Sequence, residues 1–449
     1  MLQSASFSSF RGRDLLLRAT EEYHQFMVTD FQQRESLRRS SPDGLAAHQL
    51  SRLNQLLDAI LPENRFYQEK YASIKLPLES LDQLESLPFT LKSELVEQTE
   101  QPGFAANLTY PIDRYTRFHR TSGTKGRPVV VLDTLEDWQW WMGCWQYVLD
   151  AAGIESDDRV LMAFSFGPFI GFWSANDAVA YRGSLVIPTG GMSTVARLEL
   201  IRTMNVTTLF CTPSYAIHMA QTAGENQMTP SDLGLQKIVV AGEPGGSVPA
   251  IREQIETMWN ARVIDHSGAS EVGPWGFGDP LARGLYINEA EFIAEFISVE
   301  SGNFADQGEL SELVLTCLGR HGSPIIRYRT GDLVKPVWDD EQSCRFVLLE
   351  GGVLGRSDDM MIIRGVNIFP SSIEQILRSF PEIVEYRMTA FKNGAMDALR
   401  IDIEDRLEEP GRVAEELRLR LGLNIDVKCV EIGTLPRFEL KGKRFVDQR

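Results

Sequence analysis

Leucines and isoleucines recur at helical spacing through residues 14–70. Leu15-Leu-Leu-Arg18 opens one amphipathic stretch, and Leu50 to Ile60 carries another, so this part is predicted helical. From about Val129 the pattern changes. Short apolar, β-branched runs fall at Arg159–Phe164, Ser184–Pro188, Thr207–Cys211, Lys237–Ala241 and Arg262–Asp265, with helical segments between them. Their spacing of roughly 25–30 residues is that of a βαβ unit. The pattern predicts a largely parallel sheet covered by helices on both faces.

After about Phe292 the helices thin out, and Phe292–Ser298, Glu309–Thr316 and Cys344–Leu349 read as strands of a more antiparallel subdomain. Residues 357–449 alternate again: strand Met360–Arg364, helix Ser371–Phe380, strand Ala398–Glu404, helix Val413–Leu421, strand Asp426–Ile432. The expected fold is therefore α/β. A large multi-layer N-terminal domain, 1–356, has mostly parallel sheets flanked by helices and a β-rich subdomain at about 290–350. A small α+β C-terminal lid covers 357–449. No internal repeat or low-complexity segment interrupts this plan.

Four tryptophans, Trp138, Trp140, Trp141 and Trp145, crowd one helical window, with Trp138, Met142, Trp145 and Leu149 on one face. Large aromatics at that spacing dock a helix onto a sheet. The sharper alternative is that some of these rings line a pocket for a flat aromatic acid. The pattern does not separate the two.

At 449 residues the chain is too long for one small core and implies two or three domains. Its formal charge of −17 argues against a nucleic-acid binder, which would show a basic face. Any phosphate or carboxylate must then be held by local donors rather than by the overall field. No apolar run reaches the roughly 20 residues needed to cross a bilayer, and Met1–Arg13 lacks the layout of a secretory signal. The cytoplasm is the expected compartment. Five scattered cysteines, Cys144, Cys211, Cys317, Cys344 and Cys429, form no CxxC pair and read as reduced, mostly packed thiols. Cys317 and His321 lie four apart without a second pair, so no structural metal is expected.

Candidate chemistry lies in five short signatures and a basic ending. Thr121-Ser-Gly-Thr-Lys-Gly-Arg-Pro128 is not a Walker A loop, because the GxxxxGK[ST] spacing is missing. Ser122, Gly123, Thr124, Lys125 and Gly126 nevertheless bring hydroxyls, backbone N–H groups and a charge together, as an anion nest does. The plain alternative is a hairpin loop. Gly242-Glu243-Pro244 follows the strand Lys237–Ala241 at its carboxyl end, where α/β sheets bind ligands; Ser247 then reads as an N-cap with Pro249 in the first helical turn. Ordinary loop chemistry would also account for this segment. Ser267-Gly-Ala-Ser-Glu271 follows the next strand. Its Glu271 is either a solvated acid or a ligand for Mg2+, which takes few protein oxygens beside phosphate. Asp332, in Tyr328-Arg-Thr-Gly-Asp332, is either a turn residue or an acceptor for two ribose hydroxyls. Gly355-Arg-Ser-Asp-Asp359 marks the break before the lid and reads as a short solvent-facing hinge.

Taken in order, these segments resemble the adenylate-forming superfamily of acyl-CoA synthetases, and within it the phenylacetate–CoA ligase-like branch. The specific match is Gly355-Arg-Ser-Asp-Asp-Met-Met-Ile-Ile-Arg-Gly-Val-Asn-Ile-Phe-Pro370. Tyr328-Arg-Thr-Gly-Asp-Leu333, Pro436-Arg-Phe-Glu-Leu-Lys-Gly-Lys-Arg444, Asn64-Arg-Phe-Tyr67 and Leu87-Pro-Phe-Thr-Leu-Lys92 support it. The resemblance covers nearly the whole chain. It implies that a carboxylate attacks the α-phosphate of ATP with Mg2+, releasing pyrophosphate and leaving an acyl-adenylate. The lid then turns, and the thiol of coenzyme A displaces AMP.

Carried over by position, the resemblance assigns the β- and γ-phosphates to Ser122–Gly126, Mg2+ to Glu271 and the adenine border to Gly242, Glu243 and Pro244. Ser267 and Ser270 join the nucleotide site. Asp332 takes the ribose with Arg356 nearby, Asp358 is the pivot, and Lys441 reaches in from the lid to stabilise developing charge. An aromatic carboxylic acid is expected near Trp141, Trp145, Phe166, Tyr215 and Gly268. The chain departs from the family in having Lys125 where a second threonine is usual, Ser267 where many relatives carry an aromatic, and Lys443 beside Lys441; counted from Pro436, Lys441 aligns better. The resemblance also implies a homodimer. Three alternatives stay open: an adenylating nucleotidyltransferase, a ligase that loads a carrier protein, and a non-catalytic nucleotide-binding homologue.

Overall fold

The computed structural model describes residues 30–97, 104–121, 128–164, 167–338, 344–357, 361–363, 366–393, 396–436 and 444–449. Its spine is a nine-stranded sheet. Five strands are parallel, in the spatial order Arg262–Ala269, Lys237–Val240, Thr208–Cys211, Arg159–Met162, Leu185–Pro188. They form because runs such as Lys237-Ile-Val-Val240 are buried on both faces, where β-branched side chains fit a pleated surface. Helices Ile170–Arg182, Thr194–Met204, Pro213–Glu225 and Pro249–Trp259 connect them. Antiparallel strands Gly273–Gly278, Gly284–Ile287, Leu348–Glu350 and Pro336–Val337 extend the far side. The segment expected as a strand from Cys344 starts only at Leu348.

A second sheet is wholly antiparallel, in the order Phe292–Ser298, Ser311–Cys317, Tyr328–Val334, Gly355–Arg356. One expectation changes here. Asp332 lies in a strand rather than a turn. Gly355 and Arg356 are strand-paired with Leu333 and Asp332, and the two acids of the expected hinge, Asp358 and Asp359, lie outside the described residues.

The tryptophan helix spans Leu135–Ala152. A reciprocal capping box, Thr134 with Asp137, starts it, and Gly153 in the left-handed region ends it. Trp138, Trp141, Trp145 and Leu149 are all buried in the core between this helix and the sheet. Docking by large aromatics is thus what the helix does.

Helix Pro249–Trp259 corrects another reading. Its N-cap is Val248, with no capping side chain. The Ser247 hydroxyl instead donates to Asp265 Oδ2 at 2.5 Å.

The C-terminal segment has a hydrophobic core of its own, with Ile373, Leu377, Tyr386, Met388, Ile401, Ile403, Val413 and Leu417 inside it. Helices Pro370–Arg378 and Pro410–Leu421 accompany a four-stranded sheet, ordered Asp426–Cys429, Met396–Asp405, Ile383–Asn393, Phe445–Asp447. The central pair is antiparallel and both flanking pairs are parallel. The strand Ile383–Asn393 escapes the sequence pattern, because Glu385 and Thr389 are buried among its apolar positions. No described helix is long and apolar enough to cross a membrane. The five cysteines are unpaired; four are buried and Cys429 is half-buried.

Candidate active site

The carboxyl ends of the parallel strands gather the candidate residues on one edge. Lys237–Val240 runs into Gly242, whose φ of 92° is one that glycine adopts without strain. Arg262–Ala269 runs into Ser270 and Glu271. Ser267 is half-buried in that strand and Gly268 is exposed. A Cβ on Gly268 would come within 2.9 Å of the Gly273 carbonyl, so the strand passes its antiparallel neighbour closely there.

Glu271 is no solvated loop acid. Its side chain is 12% exposed, and its Oε1 accepts from the Tyr328 hydroxyl at 2.8 Å, while Lys92 Nζ stands 4.0 Å away. Burial, followed by the neighbouring Glu271 charge, pushes the Tyr328 hydroxyl well above its ordinary range. It therefore stays a donor. Among the described residues Glu271 Oε2 accepts no hydrogen bond, which leaves one carboxylate oxygen for a hard cation. A single carboxylate fits Mg2+, which keeps several waters and fills its shell with phosphate oxygens.

Tyr328 and Asp332 are four apart on one strand, across a register shift against Glu312–Val314. Gly331 between them has φ 76°. Arg356 Nη1 donates to Asp332 Oδ1 at 2.8 Å and its Nη2 to the Thr330 carbonyl at 3.1 Å. The third, fourth and fifth signatures therefore meet through two direct side-chain contacts, Tyr328–Glu271 and Arg356–Asp332.

The hairpin Arg117–Arg120 with Val130–Asp133 carries the first signature. Thr121 N–H donates to the Val129 carbonyl and Val129 N–H to Thr121 Oγ1, both at 3.0 Å, closing the base of that loop. Ser122, Gly123, Thr124, Lys125 and Gly126 lie outside the described residues. So do Phe166, Asp358, Lys441 and Lys443.

Glu243 faces two ways. Its Oε1 accepts from the Ser214 N–H at 2.8 Å, in the first turn of helix Pro213–Glu225, where an anion is favoured. Its Oε2 stands 4.0 Å from Arg444 Nη1 of the C-terminal sheet. A small cleft between this helix and the C-terminal segment is lined by Ser214, His218, Arg378, Glu385 and Arg444.

The described aromatic residues expected near the acid, Trp141, Trp145 and Tyr215, are core residues with their polar groups engaged. The Trp141 indole N–H donates to Asp133 Oδ1 at 3.2 Å and that of Trp145 to Ser174 Oγ at 2.9 Å. Tyr215, fully buried, shares its hydroxyl with Arg197 Nη1 at 2.5 Å and Thr194 at 3.0 Å. Cys317 is buried with its thiol on the Val272 carbonyl, and among the described residues no cluster of His, Cys, Asp and Glu is arranged for a metal. Tyr328 stands in the same signature as Asp332, but the pattern alone assigns it no role. Lys92 carried none.

Comparison with known proteins gives the family. A profile of the AMP-binding enzyme family matches residues 105–288, and one of the AMP-binding enzyme C-terminal domain matches residues 365–449. The chain is 30% identical over 433 residues to a phenylacetate-coenzyme A ligase of Pseudomonas putida, covering 92% of this chain and 97% of that one. It is 31% identical over 435 residues to the enzyme of that name from Escherichia coli (strain K12), with the same coverage. Among solved structures, 2-hydroxyisobutyryl-CoA ligase in the postadenylation state superposes with a TM-score of 0.86 at 26% identity, over 92% of each chain. The same ligase in the thioesterification state, with adenylate and CoA, gives 0.70 at 26% identity over 93% of each chain.

Proposed function

The chain belongs to the AMP-binding enzyme family, and from that premise we propose that it joins an aromatic carboxylic acid, of phenylacetate or benzoate type, to coenzyme A. It is an AMP-forming acid–thiol ligase acting through an acyl-adenylate, with ATP and coenzyme A as co-substrates. We divide it at residue 356, with 1–356 as the adenylation core and 357–449 as the lid. We place it in the cytoplasm, where its buried thiols stay reduced, and expect a homodimer.

In the first half-reaction the acid's carboxylate attacks the α-phosphorus of ATP and pyrophosphate leaves. Ser122–Gly126 hold the β- and γ-phosphates, with Gly242, Glu243, Pro244, Ser267 and Ser270 around the base. Asp332, steadied by Arg356, accepts from the ribose hydroxyls. Glu271 holds Mg2+, which neutralises charge on the phosphates when bound. Lys441 supplies a positive charge to the transferring phosphoryl group, and a point charge on a flexible stem withdraws when the lid turns about Asp358. In the second half-reaction the coenzyme A thiol attacks the acyl carbon and AMP departs.

One observation carries the reading: Glu271, Tyr328, Asp332 and Arg356, up to 85 positions apart in the chain, meet through hydrogen bonds at the carboxyl edge of the sheet. The aromatic preference is supported by the likeness to the two phenylacetate ligases. An aromatic acid is distinguished from an aliphatic one by a panel of aryl and alkyl acids in two assays. Acid-dependent exchange of labelled pyrophosphate into ATP reports adenylation, and coenzyme A-dependent AMP release reports the thioester step. Exchange with aryl acids followed by AMP release is the expected result. Exchange without release points to a nucleotidyltransferase or carrier-loading ligase, and no exchange with any acid removes the catalytic reading.

A further inference from the structure

Arg320 is completely buried, on the segment that leads from strand Ser311–Cys317 towards Tyr328–Val334. Its Nε donates to Asp133 Oδ1 at 2.8 Å, and Nη2 stands 2.7 Å from the same oxygen. The Trp141 indole N–H donates to that oxygen too, and the Trp141 ring lies 5.4 Å from the guanidinium carbon. The remaining arm turns elsewhere: Nη1 donates to the carbonyls of Ser270 at 3.2 Å and Glu271 at 2.8 Å.

As a stabilising device this pair is poorly built. Removing two ions from water costs several kcal/mol each, and well-packed apolar residues often replace such pairs without loss. Asp133 Oδ2 is moreover buried with no hydrogen-bond partner among the described residues. What the guanidinium supplies that an apolar side chain cannot is a rigid fork of donors. One side of it is anchored on the strand that closes the first signature's hairpin. The other grips two successive carbonyls in the tight connection between strands Arg262–Ala269 and Gly273–Gly278, beside a register shift between Ser267 and Ala269.

We propose that Arg320 is a positioning residue for the first half-reaction: by fixing the backbone at Ser270 and Glu271 against Asp133, it sets where the Glu271 carboxylate is presented to Mg2+ and the ATP phosphates. Tyr328 orients the carboxylate from its own side, and Arg320 fixes the main chain that carries it. The proposal rests on the reading of Glu271 as the Mg2+ ligand.

Two variants test it. Arg320→Lys keeps a cation beside Asp133 but lacks the fork. The double variant Asp133→Leu/Arg320→Met removes both charges, so a folded chain is obtained without the anchor. The readout is calorimetric binding of α,β-methylene-ATP in Mg2+ and in EDTA, with thermal unfolding as the check on folding. Both variants should lose at least tenfold of the affinity gained from Mg2+, bind as the parent does in EDTA, and form thioester normally from preformed acyl-adenylate. A folded variant with the full Mg2+ gain overturns the proposal, as does loss of the fold in both variants, which would make the pair structural. Glu271→Gln separates the two levels. If it keeps the Mg2+ gain, the metal-ligand reading itself fails; if it loses the gain while the Arg320 variants keep it, only this inference fails.

Discussion

Glu243→Gln should separate the two proposed half-reactions, because Glu243 faces Arg444 of the C-terminal segment. Arg444 is clamped within its own sheet, Nε to Glu385 Oε1 at 2.7 Å and Nη2 to Glu385 Oε2 at 3.1 Å. The third direction of its guanidinium faces Glu243 Oε2 at 4.0 Å, with the two side chains only 8% and 10% exposed. Arg444 stands three residues after Lys441, the lysine proposed for the first half-reaction, and directly before the strand Phe445–Asp447. In the proposed turn of the lid, Arg444 and Glu385 leave together and Glu243 stays behind.

Gln is nearly isosteric with Glu and still accepts the Ser214 N–H, so the substitution removes charge and little else. Two unit charges at this separation attract by about 4 kcal/mol at an effective dielectric of about 20. Glu385 already partners Arg444, and the desolvation cost is shared, so the net loss should be about 1–2 kcal/mol. That is roughly 5–30-fold in the balance between lid positions. Pyrophosphate exchange at saturating ATP should slow by this factor, while thioester formation from preformed adenylate holds or quickens. A rise in KM for ATP with unchanged kcat would mean that Glu243 acts only at the base. Equal losses in both half-reactions would refute the latch.

Lys441→Ala should cut pyrophosphate exchange roughly 10²–10³-fold, the scale of losing one preorganised charge stabiliser, and leave the thioester step near the parent rate; equal loss in both halves would refute the lid assignment. His266 is buried with its ring 4.2 Å from that of Trp145, and burial pushes its pKa down to about 4 from about 6.5. Unfolding between these values takes up a proton that the folded state refuses, so stability is full above about pH 6.5 and drains as pH falls towards 4. His266→Asn retains a donor towards the Gly276 carbonyl, which His266 Nδ1 meets at 2.7 Å. Its urea-unfolding free energy should drop about 2 kcal/mol less than the parent's between pH 7 and pH 4.5, and an unchanged difference would refute the linkage. Leu209→Ala, at a fully buried site in the central strand Thr208–Cys211, should cost about 2–5 kcal/mol by cavity formation. The urea midpoint checks this, and a shift worth under 1 kcal/mol would place Leu209 outside the rigid core.

The parallel strands were legible because they need no partner to be recognised. Lys237-Ile-Val-Val240 and Thr208-Leu-Phe-Cys211 are continuous apolar runs bounded by turn residues, and burial on both faces demands such runs. Once the strands are placed, their carboxyl edge follows, and Gly242, Ser267 and Glu271 fall on it by position alone. The lid strand Ile383–Asn393 was lost for the opposite reason. Its alternation is broken by Glu385, a residue that a local pattern assigns to solvent, and Glu385 is buried only because Arg444 arrives 59 positions later.

The same rule divides the site. Residues proposed to touch a ligand carry chemistry that spacing can announce: a glycine after a strand, an acid at a strand end. Residues that hold those groups in place announce nothing, because their meaning lies in a partner far along the chain. Ser247 had the form of a helix cap, yet its hydroxyl serves Asp265, whose carboxyl burial pushes up to about 6. Arg320 and Asp133, 187 positions apart, had no signal at all, and Tyr328 had only its place in the signature of Asp332. In each case the polar group is buried and must be satisfied, or it costs more than it contributes. That requirement belongs to the assembled core rather than to any segment. A local pattern can therefore name the groups proposed to meet a nucleotide but not the frame that aims them, and the frame is where Arg320 and Glu243 put this chain to the test.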